Sequence, residues 1–482
     1  MTPRKKHTSS NGQPQRAAGG QPRAARHARG AGGTPQAGPS VRPTVRTVQQ
    51  VSPTLRAEAP SSLDKGVFTI PNSQLVVSRR HLLYGAIGVG VIAAGTTAAG
   101  ALGLLGHDDT ADLTILSVPT SAVTTSEELS EVELSAHFGL VGDFEMPYGT
   151  LVWCNDPDVA ACLVPGEAAK PLTQVQLLYL GNGGTKTIVG QAVGQDEGFE
   201  IYDVRATSDG VVWTEADILE GVWRVYTARL DSDGDPVEYV RVDSGNADWE
   251  TPTLALVGNK AFWQVMPRSN GNAAASDSVL KKAVVGTTNV DVVYSSPGRM
   301  ATPPNPTLHG VVITPRTPTS AVHYQLTYVD AASGSVVDTM VLPQAMKPLE
   351  AGYGKTGFTF CFDGIYDYGD GIANLGTYVP LQRATGADYN YVPWFRFSRT
   401  PACAPCWCGD YLVVKSTQAV CGIDFSSSTY FATDVLTGSA DYGDFLATTG
   451  EQDIMVTFAN ITRSLINQAE EQLCAVRVYA PL

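Results

Sequence analysis

The sequence predicts an all-β chain folded as a seven-bladed β-propeller, with six or eight blades as the neighbouring counts. Short apolar runs recur along residues 107–482, at Leu151–Trp153, Val211–Trp213, Ala261–Trp263, Val311–Ile313, Thr359–Cys361, Leu412–Val414 and Ile454–Val456. Between their central residues the steps are 60, 50, 50, 48, 53 and 42 residues. Turns precede them, among them Ser208-Asp209-Gly210, Gly258-Asn259-Lys260 and Gly409-Asp410. Gly beside Asp or Asn supplies the positive φ that a tight turn needs. Period-two stretches follow the runs, as in Trp223–Leu230 with Val237–Val242, and Val322–Val329 with Val336–Leu342. Such alternation marks strands, and three or four strands repeated every ~50 residues fit propeller blades.

The whole chain has 482 residues, 43% of them hydrophobic and 17% charged. That is too long for one ordinary domain and too apolar for a disordered chain. Charge divides it sharply. Residues 1–80 carry 13 Lys/Arg against Glu58 and Asp64, a net +11, and the remaining residues carry 20 basic and 45 acidic groups, a net −25. The acidic body is a poor partner for nucleic acid, which requires clustered cations.

Residues 1–77 are rich in Gly, Pro, Ala, Gln, Ser and Arg and lack apolar periodicity. They are expected to form a disordered basic arm. Next stand Ser78, Arg79, Arg80, His81, Leu82 and Leu83, opening an uncharged run to Leu105 with six Gly and six Ala. This pattern resembles the twin-arginine export signal, in which Ser or Thr and two arginines precede a free position and two apolar residues. The resemblance implies the twin-arginine translocase as partner and an extracytoplasmic body. Twenty-four helical residues reach ~36 Å, enough to cross a hydrocarbon core of ~30 Å. The nearest small-x-small site, Ala99-Gly100-Ala101, lies inside the run. Residues 78–105 are therefore expected to stay in the cytoplasmic membrane as a single-pass anchor, N-terminus inside. Secretion after cleavage is the alternative.

Within the body, Ala206-Thr-Ser-Asp-Gly-Val-Val-Trp213 resembles the turn and first strand of periplasmic TolB-like and WD-repeat-like blades. It departs from the sialidase Asp-box, because Asp209 and Gly210 are adjacent. The last blade appears short of two strands after Cys474–Tyr479. Leu113–Val118 and Glu131–Ala136 are the strand-like pieces expected to complete it, removing two open edges. Ile461, Leu465, Ala469 and Leu473 recur at steps of four and predict a short helical insertion.

All eight cysteines follow residue 153, as suits an exported protein with disulfides. Cys154 and Cys162 flank one short loop. Cys403, Cys406, Cys408 and Cys421 crowd one blade, with Cys361 and Cys474 remaining. Disulfides are expected among the first six, and a tetrahedral zinc site on the crowded four is the alternative. Asp231, Asp233 and Asp235 have the one-three-five spacing of a calcium loop, but Gly234 falls at position four, so a hairpin turn is expected. Asp363, Asp367 and Asp370 lie in an aromatic loop facing solvent or ligand. No catalytic group, cofactor or resident metal is nominated. His137, His309 and His323 are scattered, His323 sits mid-strand, and no Gly-x-Ser-x-Gly elbow occurs. The expected function is a binding or scaffolding module for a protein or glycan, using loops such as Gly364–Gly371 and Tyr389–Trp394. The alternative is an exported glycan- or peptide-directed hydrolase or lyase with carboxylates converging in the channel.

Overall fold

The computed structural model describes residues 113–166, 173–362, 364, 371–398, 403–416, 419–439, 443–464 and 470–482, with the short strands Val67–Thr69 and Val76–Ser78. Outside the described residues lie the expected membrane helix and the rest of the arm. Within the arm, Val67–Thr69 and Val76–Ser78 pair antiparallel, a local exception to the disorder expected there that follows from their β-branched residues. Among the described residues no helix is long and apolar enough to cross a membrane.

The body is an all-β propeller. Six sheets, rather than the seven expected, are each built around four antiparallel strands from one continuous stretch of chain, spanning residues 151–189, 200–245, 253–296, 305–341, 350–397 and 406–432. A further sheet is composite. Its strands are Phe445–Leu446, Met455–Arg463, Glu471–Pro481 and, from far upstream, Phe138–Pro147.

Apolar clusters between sheets show that the ring is continuous. Val212, Trp223, Leu254 and Trp263 join the second and third sheets. Phe262, Leu280, Val311 and Val329 join the third and fourth, and Val312, Leu326, Phe360 and Tyr378 the fourth and fifth. Phe395, Trp407 and Leu412 join the fifth and sixth, while Val413, Phe431, Met455 and Tyr479 join the sixth to the composite sheet. The last cluster, with Trp153, Leu177, Trp213, Val456 and Val476, returns from the composite sheet to the first and second.

Closure differs from the expected scheme. One strand, Phe138–Pro147, closes the ring by pairing antiparallel with Glu471–Pro481 at nine positions from Phe138↔Pro481 to Pro147↔Leu473. Its two-residue alternation is hidden in the sequence by Gly139, Gly142 and a bulge opposite Val478 and Tyr479, which leaves Leu140 and Val141 exposed. The segments expected to close the ring run instead as a belt along outer strands. Ile115 bridges Val341 of the fourth sheet, Val123–Thr125 pairs in parallel with Trp394–Phe397 of the fifth, and Ser130–Glu131 pairs in parallel with Thr429–Ala432 of the sixth. Leu134–Ala136 is a short 3-10 turn leading into the closing strand.

Two further expectations are corrected by register. Leu151–Trp153 is the first strand of its sheet, whereas the equivalents at Val211–Trp213 and beyond lie on second strands. The true counterpart is Ala160–Cys162, so the step from Ala161 to Val212 is 51 residues and the irregular 60 disappears. Of the residues at steps of four, Ile461 and Leu473 are strand partners across Met455–Arg463 and Glu471–Pro481, and Leu465 and Ala469 lie outside the described residues. The connection at residues 465–469 lies outside the described residues.

A buried ion pair fastens the composite sheet. Arg477 Nε donates to Asp444 Oδ2 at 3.1 Å and Thr457 donates to the same oxygen at 2.6 Å, which links three segments of the sheet. Replacing Arg477 by Ala strands a buried carboxylate and should cost roughly 3–5 kcal/mol, read as a lowered denaturation midpoint. Two deletions separate belt from closure. Removing residues 113–136 should lower the melting temperature while leaving a monomer. Extending the deletion through Pro147 exposes the Glu471–Pro481 edge and should cause aggregation in size-exclusion chromatography. An intact monomer with unchanged melting temperature after the longer deletion would refute this closure.

Candidate functional site

The axis of a propeller is its default site, and among the described residues inner-strand segments of five sheets meet around one small cavity. The cavity there has a volume of about 30 Å³, lined by Trp153, Arg205, Pro303 to Pro306, Glu350, Cys403, Ala404, Leu446, Thr448 and Thr449. That is room for a water or two. The turn after Phe445–Leu446 enters it, and Gly450 lies so close that a Cβ would come 2.7 Å from the Pro306 carbonyl oxygen of the fourth sheet. Arg205 is neutralised by Asp203 at 2.5 Å and stacks over the Trp153 ring at 4.6 Å. Among the described residues Glu350 is the carboxylate lining the cavity.

Most groups singled out in the sequence have structural roles. Asp231 Oδ1 accepts from the Asp233 and Asp235 backbone N–H groups at 2.9 Å, the expected hairpin turn. His323 is buried with Nδ1 2.9 Å from the Leu342 carbonyl oxygen. In the loop Tyr389–Trp394 the two ends are core residues, with Tyr389 donating to Asp338 Oδ2 at 2.7 Å and Trp394 donating to the Tyr389 carbonyl at 2.9 Å, while Tyr391 between them is exposed. Asp363, Asp367 and Asp370 lie outside the described residues, as do Arg79, Arg80, Leu82 and Leu83. Ser78 ends the short strand Val76–Ser78.

All eight cysteines are buried. Cys154 Sγ donates to the Asp156 carbonyl at 3.3 Å, and burial pushes its pKa up to about 12. Cys406 and Cys408 face the cluster shared with the composite sheet, whereas Cys421 sits opposite Val414 and packs on the other face of the same sheet, beside Phe397 and Leu412. Strand alternation thus splits the crowded four, and they cannot surround one zinc ion. Among the described residues no group of three or more His, Cys, Asp or Glu has metal-binding geometry.

A more open site lies on the rim between the second and third sheets. This groove of about 430 Å³ is lined by Trp223, Ser244, Gly245, Asn246, Trp249, Val265, Asp277, Val279 and Lys281. Trp223 is the second residue of Val222–Arg229, placed directly opposite Gly245 in Val240–Gly245. Glycine is required there: a Cβ would lie 2.1 Å from Trp223 Cζ2 and 2.8 Å from Nε1. Trp223 is 2% exposed, and its indole N–H has no acceptor. Trp249 ends a turn in which its N–H reaches the Asn246 carbonyl at 3.1 Å, and Arg268 Nε donates to its carbonyl at 3.2 Å. Lys281 is held by Asp243 at 2.8 Å, and Asp243 also accepts from Trp263 Nε1 at 2.7 Å. Sequence reading found the Trp223 strand and missed the groove, because its second wall comes from a different sheet. A tryptophan directly opposite a glycine was the available signal.

No family model matches this chain, and no curated protein does. Solved structures do. A prolyl endopeptidase structure aligns with TM-score 0.45 and 10% identity, covering 68% of this chain and 50% of that one. Prolyl oligopeptidase B from Galerina marginata gives 0.42 and 8%, covering 67% and 50%. The β-propeller domain of the Trilobed protease from Pyrococcus furiosus gives 0.38 and 9%, covering 67% and 97%. The chain spans about half the length of the first two, and at these identities the likeness concerns fold alone.

Beside the groove, Glu250 is 8% exposed and held by Arg299 at 2.5 Å, with Oε2 unpartnered. Burial raises its pKa above the ordinary 4.5 and outweighs the opposing Arg299 guanidinium. The folded state therefore holds this proton more tightly than the unfolded state. Its contribution to stability is complete below pH 4.5 and is lost as pH rises through the folded pKa. Glu250→Gln should remove that dependence, so the melting temperature of the parent should fall relative to the variant between about pH 4 and pH 7. Parallel curves would contradict the assignment.

Proposed function

We propose that the chain is a binding or scaffolding β-propeller displayed outside the cytoplasmic membrane, with recognition on the rim of the ring. The observation that carries this reading is the small size of the cavity where the inner strands meet. A cavity of about 30 Å³ with a single lining carboxylate leaves no room for a peptide or a sugar, while the rim keeps an aromatic groove of about 430 Å³. Pockets of several hundred Å³ with mainly apolar walls and a few polar groups suit small-ligand recognition. In this reading Ser78, Arg79, Arg80, Leu82 and Leu83 address the chain to the twin-arginine translocase, and the run Leu82–Leu105 anchors it. The ligand is an extracytoplasmic protein or glycan.

The competing hydrolase or lyase reading would place its chemistry at Glu350, so turnover of a glycan or peptide library that is lost in Glu350→Gln would overturn the binding reading. Export has its own test. Replacing Arg79 and Arg80 together by Lys keeps the charge and removes the planar guanidinium groups. Cell fractionation should then find the body retained in the cytoplasm. Unchanged external exposure of the double variant would assign the chain to another route.

A further inference from the structure

We propose that a second groove, between the fifth and sixth sheets, binds a basic, extended segment of a partner protein. This deepens the binding-module reading and rests on it. The groove has a volume of about 760 Å³, within the range of ligand clefts. One wall is the belt, with Glu127, Leu129 and Glu131, and the other comes from Phe397 of the fifth sheet with Tyr430 and Ala432 of the sixth. Charge decides the sign of the ligand. Glu127 and Glu131 are exposed, and among the described residues no Lys, Arg or His lines the groove. Neither carboxylate is held in an ion pair among the described residues; Glu131 only accepts from the Tyr430 hydroxyl at 3.2 Å. Lys415, next to Ser416 of the lining, lies on the other face of the sixth sheet, 5.7 Å from the centre of the Phe445 ring. An uncompensated carboxylate pair on an acidic body attracts a cation and repels an anion.

The walls decide what else the ligand carries. Leu129, Ala419, Tyr430 and Ala432 are half-buried and pack on one inter-sheet cluster with Phe397. The groove therefore opens onto the edge of the core, and an apolar side chain placed there removes that surface from water. Backbone geometry then separates a peptide from a polyamine, which two carboxylates would also attract. The N–H groups of Ser130 and Val132 donate to the Ser428 and Tyr430 carbonyls at 3.1 and 2.9 Å. The N–H and C=O of Glu131 between them thus turn to the outer edge of the sixth sheet, where Ser130–Glu131 is the last strand. An extended peptide satisfies such an edge by adding to it, and its side chains give specificity in the adjoining pocket. A polyamine has no carbonyl to offer. The ring already accepts extended chain on its outer strands, at Val341, at Trp394–Phe397 and at Thr429–Ala432.

The test uses the full chain in non-ionic detergent, with empty micelles as the blank. Three short synthetic peptides are titrated by calorimetry, one alternating Lys with Leu, one Glu with Leu and one Lys with Ser, together with spermine. The Lys–Leu peptide should bind, and its affinity should fall severalfold as salt rises from about 0.05 M to about 0.5 M. The other three should bind at least about tenfold more weakly. Glu127→Gln combined with Glu131→Gln should weaken the Lys–Leu peptide roughly three- to tenfold. Both side chains are exposed, so the melting temperature should not change. Equal binding of the Glu–Leu peptide, the Lys–Ser peptide or spermine would overturn the proposal. Full affinity in the double variant would place the peptide site elsewhere and overturn the inference, while leaving the binding-module reading standing. Absence of any peptide signal would also overturn it, whereas the binding-module reading falls to turnover that depends on Glu350.

Discussion

Everything in the ring depends on one pairing, that of Phe138–Pro147 with Glu471–Pro481. The two strands stand at opposite ends of the described body, so bringing them together costs chain entropy of order 5 kcal/mol before any contact is gained. Nine paired positions return that cost. The buried Met146, Val476, Val478 and Tyr479 then extend the apolar clusters toward the first and sixth sheets. Without the pairing, the composite sheet would present an open edge and its neighbours would lose a packing partner on one side. The belt shares the geometry of closure. It reaches the closing strand by crossing the outer strands of the fourth, fifth and sixth sheets, so each short parallel pairing shortens the free chain leading into Phe138.

Closure of this kind places the centre of the ring under constraint. The composite sheet is assembled from both ends, and its first strand is only Phe445–Leu446. The chain after it turns into the axis, where Thr448 and Thr449 meet the Pro303 to Pro306 segment. Glu451–Gln452 then pairs in parallel with Trp407–Cys408, which anchors that turn to the sixth sheet. A short inner strand and an inserted turn thus fill the space a longer strand would have left open. The open groove of about 430 Å³ lies instead in a cleft where walls from two blades meet.

The legibility of the sequence follows the range of the interactions involved. The roughly 50-residue period, the turns at Ser208–Gly210 and Asp231–Asp235 and the strands around Trp223 and Val336 were readable because they are local. Closure was less so. That a strand from the N-terminal side is needed follows from counting edges, but the strand itself, Phe138–Pro147, carries two glycines and a bulge that erase its alternation. Ile461 and Leu473 mimicked a helical face because cross-strand partners in a hairpin also recur at regular spacing. The groove was invisible for a third reason: Trp223 and Trp249 gain meaning only when Val265 and Asp277 of the third sheet are placed beside them.

The cysteines show how topology constrains a reading based on spacing. Spacing suggested partners close in sequence, yet the strands place Cys406 and Cys421 on opposite faces of one sheet. Burial does the rest. A thiol must ionise to attack a disulfide, and the Cys154, Cys162, Cys361 and Cys406 thiols are all pushed up by desolvation. On the proposed twin-arginine route the chain crosses the membrane already folded. Its cysteines then meet an oxidising compartment only after they are sealed between sheets. Within the inter-sheet clusters Cys154, Cys162, Cys406 and Cys408 pack among apolar side chains.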